Sequence, residues 1–144
     1  MEVPINYWAL LIGVVVNVIL GSLWYGPLFR KPWMEMSGIT MESINQNKKM
    51  SVGMSYGIMM LGSIIMAYVL WHALVFASYF TKTTGVPAGL MVGVWNWLGF
   101  IAPATLGIVL WEGKPWKLWM INAGYYLVAL CLMGVIFAFM MPVL

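Results

Sequence analysis

Gly13-Val14-Val15-Val16-Asn17-Val18-Ile19-Leu20-Gly21-Ser22-Leu23-Trp24-Tyr25-Gly26-Pro27-Leu28-Phe29-Arg30-Lys31-Pro32-Trp33 reads as one apolar helix with its exit attached. Gly13, Asn17 and Gly21 stand at i, i+4 and i+8, so on a helix they form a narrow face with almost no bulk and one amide at its centre. Such a face lets another helix come close. Trp24 and Tyr25 follow at the depth of the lipid headgroups, where amphipathic rings settle. Pro27 has no backbone N–H and crowds the preceding turn, and Arg30 and Lys31 bring the first positive charges. The stretch is a membrane-spanning helix that ends or bends sharply on its charged side.

Working outward, the same character fills the chain. Of its 144 residues 63% are hydrophobic and 8% charged, and the mean hydropathy is +0.92, which excludes an ordinary soluble domain. Four uncharged runs, Val3–Phe29, Met50–Thr81, Thr83–Trp111 and Leu118–Leu144, each exceed the roughly 20 residues a helix needs to cross the hydrocarbon core. The expected fold is all-α: one transmembrane domain over residues 1–144, a four-transmembrane-helix bundle with helices at about 6–25, 50–79, 88–111 and 118–140. A short interfacial helix is expected between the first two, near Thr40–Lys49, because Thr40 can cap it and Glu42 falls in its first turn. The start, Met1-Glu2-Val3-Pro4, lacks the basic region of a cleavable signal, so the first span is expected to stay.

Small residues mark the contact faces. On the second helix Gly53, Tyr56, Gly57, Met60, Ser63, Ile64, Ala67 and Trp71 gather on one side. On the third, Gly89, Gly93, Asn96, Gly99, Pro103 and Gly107 form the clearest stripe. The helix-packing set is therefore Gly13, Asn17, Gly21, Gly53, Gly57, Gly89, Gly93, Asn96 and Gly99. Pro103 should kink its helix, freeing a carbonyl near Gly99. Asn122, Tyr126 and Ala129 share a face of the fourth helix.

Charge decides orientation. Arg30, Lys31, Lys48, Lys49, Lys114 and Lys117 lie in the first and third loops, against Lys82 alone in the second. Short cytoplasmic loops carry the excess of Lys and Arg, so loops 26–49 and 112–117 are expected in the cytoplasm and both termini outside. Trp8, Trp24, Tyr25, Trp33, Trp111, Trp116 and Trp119 are expected as membrane-interface anchors. The few loop lysines form no basic stripe, so nucleic acid is not an expected partner; the lipid bilayer, a second copy or another membrane subunit is. A weak internal echo, Lys31-Pro32-Trp33 and Lys114-Pro115-Trp116, follows the first and third spans, as a parallel repeat of helix hairpins would produce.

No Asp, Glu, Lys or Arg lies inside the spans, which argues against a carboxylate-driven pump. His72, the single histidine, cannot make a metal site alone, and Cys131, the single cysteine, has no basic partner nearby. No cofactor and no metal are expected. Nucleophile, base and orienting group do not occur together, so no catalytic residues are assigned and the chain is expected not to be an enzyme. Asn17 and Asn96 sit near the middle of their spans and admit two readings: interhelical bonding, or a polar path with Asn122 and Tyr126. The leading functional expectation is a packing or accessory subunit of a membrane assembly or homo-oligomer. The alternatives are a small oligomeric permease or channel, and a cofactor-holding redox subunit using His72.

Asn6-Tyr7-Trp8, Leu20-Gly21-Ser22-Leu23-Trp24-Tyr25-Gly26-Pro27-Leu28-Phe29, Trp33, Asn96-Trp97-Leu98-Gly99-Phe100 and Gly124-Tyr125 together resemble the pattern of domain-of-unknown-function family 1761, small bacterial four-helix membrane proteins. The resemblance covers nearly the whole chain, and its most specific part is the run from Gly21 to Phe29. It implies a bacterial inner-membrane location and carries no activity with it.

Overall fold

The computed structural model describes residues 3–40, 42–43 and 51–141. Among these, four helical stretches are long and apolar enough to cross a membrane, Tyr7–Leu28, Gly53–Thr81, Gly85–Leu110 and Trp116–Met140. The protein is an all-α, multi-pass membrane bundle.

Helix α1, Tyr7–Leu23, is started by Asn6, whose side-chain oxygen accepts from the N–H groups of Trp8 and Ala9, satisfying two donors that the first turn would leave orphaned. The same amide donates to the Met140 carbonyl at 3.1 Å, tying the beginning of α1 to the end of the last helix. At Trp24 the helix widens into a π turn over Trp24–Leu28, closed by Phe29 N–H on the Trp24 carbonyl at 2.9 Å. Gly26 is the break, with φ −94 and ψ −107, and Pro27 beyond it cannot donate to the preceding turn.

A short helix between the first two spans is α2, Arg30–Ser37, ended by Gly38 in the left-handed region at φ 74. It lies upstream of the Thr40–Lys49 stretch expected from the sequence. Pro32 does not block it, because a proline in the first helical turn removes no intrahelical bond. Of the expected stretch, Thr40 and Ser43 do exchange cap-type bonds, Ser43 N–H to Thr40 Oγ1 at 3.1 Å and Thr40 N–H to Ser43 Oγ at 3.0 Å; residues 41 and 44–50 lie outside the described residues.

Helix α3, Val52–Thr81, is capped by Ser51 and runs unbroken for 30 residues. Helix α4, Gly85–Asn96, then passes into a second π turn, Trp97–Ile101, followed by α5, Ala102–Thr105, and α6, Gly107–Leu110. The third span, Gly85–Leu110, is thus continuous but locally widened: the widening occupies the residues just before Pro103, where the proline leaves a carbonyl without its usual donor. Helix α7, Trp116–Met140, contacts α1, α3 and α4 and is the centre of the bundle.

The packed core is made by Ala9 and Val14 of α1, Leu70, Trp71 and Leu74 of α3, Ala88 and Val92 of α4, and Met133 and Phe137 of α7. Lipid offers these side chains an environment as apolar as each other, so close contact and hydrogen bonds hold the helices together. The tightest seam is glycine on glycine. Gly89 sits so close to Gly134 and Val135 that a Cβ on it would lie 2.5 Å from Gly134 backbone atoms, and one on Gly93 would lie 2.8 Å from Cys131. Gly13 faces the Phe137 ring and Gly21 the Tyr125 hydroxyl.

Gly53, Gly57 and Gly99, expected as packing positions, make no close approach within the described chain. A Cβ on any of them would meet nothing within 4 Å among the described residues, and all three are exposed. Gly53 and Gly57 lie in the opening turns of α3, ahead of the Ser63 contact with α1; for Gly99 the reason is the π turn, whose extra residue rotates that position off the α4 stripe.

Candidate functional site

The polar side chains of the spans gather around the first half of α7. Asn17, in the middle of α1 and 3% exposed, donates through Nδ2 to Ser63 Oγ of α3 at 2.8 Å. Its Oδ1 accepts from the Tyr125 hydroxyl of α7, also at 2.8 Å, and the same hydroxyl lies 3.3 Å from the Asn17 carbonyl. Ser63 in turn donates to the Met59 carbonyl at 3.0 Å. One amide thus holds three helices, and the absence of bulk at Gly21 is what lets the Tyr125 ring reach it.

A second cluster continues towards the charged end. Tyr25 packs on Tyr125 with ring centroids 5.4 Å apart and donates to Asn122 Oδ1 at 3.2 Å. Trp33 of α2 donates to that same oxygen at 3.2 Å and stacks edge-on to Tyr25. The short helix is therefore docked under the bundle by its tryptophan. Lys114, in the loop before α7, donates to the Ser37 carbonyl at 3.2 Å and secures its other end.

The two π turns match one another across α7. Trp24 donates its indole N–H to the Ile121 carbonyl at 3.0 Å, and Trp97 donates to the Ala123 carbonyl at 2.7 Å. Each turn opens with a tryptophan and has glycine at its third position, Gly26 and Gly99. A carbonyl has two lone pairs, so it can serve its own helix and accept an indole as well. The echo between the first and third spans is thus structural at Trp24-Tyr25-Gly26 and Trp97-Leu98-Gly99, rather than at the two Lys-Pro-Trp runs.

The aromatic residues read as interface anchors divide into two groups. Trp8, Trp111 and Trp116 are exposed, Trp111 at 86%. Trp24, Tyr25, Trp33 and Trp119 are half-buried and direct their polar atoms into the protein, Trp119 to Thr105 Oγ1 at 3.0 Å. Of the four residues suggested for a polar path, Asn17 and Asn122 join through the Tyr25–Tyr125 pair, and Tyr126 packs edge-on to Tyr125. Asn96 stands apart, donating to the Val92 carbonyl of its own helix at 2.9 Å. His72 likewise bonds within α3, with Nδ1 2.8 Å from the Tyr68 carbonyl.

Three residues that matter here were not singled out for this role: Ser63 as the partner of Asn17, Tyr125 as the second partner, and Gly134 opposite Gly89. Their types gave a signal, since a small residue and a hydroxyl on the same helix as an expected stripe are the usual acceptors of a central amide. Among the described residues no three His, Cys, Asp or Glu side chains converge. Chemically, the cluster is a set of neutral hydrogen-bonding groups, suited to holding helices and binding polar groups by dipoles.

Residues 8–138 match the family described as "Protein of unknown function (DUF1761)". The chain belongs to that family. The match takes in both π turns and the whole Asn17–Tyr125–Asn122 cluster, so the DUF1761 family pattern spans everything built above. No curated protein and no solved structure matches this DUF1761 chain.

Proposed function

We propose that this protein is a non-enzymatic subunit of a membrane assembly made of its own copies, and that the side of α3 carrying Gly53 and Gly57 is the joining face. One observation carries this reading. Glycine in a helix interior costs about 1 kcal/mol relative to alanine, and in Gly89 and Gly93 that cost is offset by contact with α7. A Cβ on Gly53 or Gly57 would meet nothing within 4 Å among the described residues, while Tyr56 and Met60 beside them are exposed. Gly53 and Gly57, at i and i+4, are the small-residue spacing through which membrane helices approach each other.

Asn17 is enclosed and fully engaged with Ser63 and Tyr125, so it opens onto no lumen within one chain, which favours assembly over conduction. The family resemblance and the asymmetry of basic loops support a bacterial inner membrane, with both termini outside. The Lys114–Ser37 bond brings the first and third loops to the same end of the bundle, as that orientation requires.

The test is cysteine crosslinking in native membranes. With Cys131→Ser as background, Gly57→Cys should give an oxidised dimer band, and Tyr56→Cys a weaker one. In the cysteine-free background, Gly57→Ile should lower the dimer fraction measured by light scattering in mild detergent. A monomer under all these conditions, or a dimer indifferent to Gly57→Ile, would remove the basis for the proposal.

A further inference from the structure

Where α1 breaks at Gly26 and the chain turns back through α2, it leaves a hollow of about 670 Å³. The hollow exists because two glycines permit it. Gly26 carries the bend between the span and α2, and Gly38, at φ 74, turns the chain at the far end of α2. Pro27, Met34 and Ile39 give it apolar walls, and Arg30, Lys31 and Glu35 stand around it. Its formal charge is therefore +1.

Position adds to charge. The hollow directly follows the first span, so it lies at the depth where that span leaves the hydrocarbon core. Leu23, the last residue of α1, and Leu28, next in the chain to Pro27 of the wall, are 49% and 59% exposed, so apolar surface stands on either side of the Gly26 break. A molecule with an anionic head and a long apolar tail would satisfy both parts at once: head between Arg30 and Lys31, tail along Leu28 and Leu23.

We infer that the hollow between the Gly26 break and α2 binds the headgroup of an anionic phospholipid. Arg30 and Lys31 donate to the phosphate oxygens, as basic side chains at a membrane surface do. The Glu35 carboxylate accepts from a headgroup hydroxyl. That carboxylate also sets the source of the phosphate. A free dianion would meet its repulsion with no tail to offset it, whereas a singly charged phosphodiester with a hydroxylated head matches the +1 site. This site does not depend on how copies of the chain assemble.

The experiment uses the full chain in nanodiscs of phosphatidylcholine doped with phosphatidylglycerol, with retained lipid counted by native mass spectrometry after release. The wild-type protein should retain phosphatidylglycerol over phosphatidylcholine by roughly fivefold or more, the factor expected of one surface basic contact. R30Q/K31Q should abolish the preference, and Ile39→Trp, which fills the hollow without touching charge, should reduce it. Lys117→Gln, which removes a positive charge outside the hollow, should leave it unchanged. Inorganic phosphate at millimolar concentration should not displace the lipid. Equal retention of the two lipids by the wild-type protein would overturn the assignment without recourse to any variant. So would a loss in Lys117→Gln as large as in R30Q/K31Q, or displacement by inorganic phosphate.

Discussion

Placing one methyl group at Gly89 should separate the two helices that hold the bundle together. In Gly89→Ala the new Cβ would stand 2.5 Å from the carbonyl carbon and oxygen of Gly134 and 2.6 Å from the Val135 Cα, whereas ordinary contact begins near 3.4 Å. The obstructing atoms are backbone, so no side chain can swing away. Helices α4 and α7 must part by about 1 Å at this point, and a radial gap of that size forfeits a quarter to a half of the dispersion energy of the pairs it opens. Overpacking of this kind costs about 1–3 kcal/mol, and the better helix propensity of alanine returns up to ~1 kcal/mol. The net loss should be about 1–2 kcal/mol. Unfolding in mixed micelles, followed by far-UV circular dichroism as the fraction of sodium dodecyl sulfate rises, would measure it. Gly62→Ala is the internal control, because its Cβ meets nothing within 4 Å and alanine can only help the helix. The expected order of stability is Gly62→Ala at or above wild type, with Gly89→Ala clearly below. If Gly89→Ala unfolds together with Gly62→Ala, the close glycine seam does not exist as described.

Asn17→Ala should lose the bonds to Ser63 and Tyr125, at about 0.6 kcal/mol each on average and up to ~1.7, while Ser63→Ala, which breaks only one of them, should lose less; the same titration would rank them. Trp97→Phe keeps an aromatic ring of smaller size and removes the indole donor to the Ala123 carbonyl, so it should cost at least about 1 kcal/mol, and Trp24→Phe should behave alike if the two π turns are equivalent. A reporter enzyme active only outside the cytoplasm, fused after Leu144, should be active, and one fused after Ser37 should not; the reverse pattern would invert the orientation.

The spans were legible because hydropathy alone measures them: four uncharged runs can only be accommodated by four crossings. The face of α1 was legible too, since Gly13, Asn17 and Gly21 repeat at four residues, and a helix maps that spacing onto one line. The third span was harder. Periodicity assumes an unbroken 3.6-residue turn, and the π turn over Trp97–Ile101 adds a residue, so Gly99 left the stripe to which counting assigned it. Gly53 and Gly57 show another limit: a pattern of small residues announces a close approach without saying whether the partner belongs to the same chain. The helix at Arg30–Ser37 was not legible because Pro27, Arg30, Lys31 and Pro32 together look like an exit, while most of the stretch near Thr40 where a short helix was expected lies outside the described residues. Tyr125 was hidden for a related reason, since a tyrosine in an apolar helix says nothing of which amide it will reach.

Helix α7 is translated after α1, α3 and α4, yet all three lean on it. Until it emerges, the indoles of Trp24 and Trp97 lack the carbonyls they will serve, Asn17 has only Ser63, and the strip from Gly89 to Gly93 is bathed in acyl chains. The earlier segments can therefore meet one another, as Asn17 meets Ser63, but every contact that runs through α7 forms only after the last span has entered the bilayer. A ribosome stalled before Trp116 would leave a molecule inserted but only partly assembled.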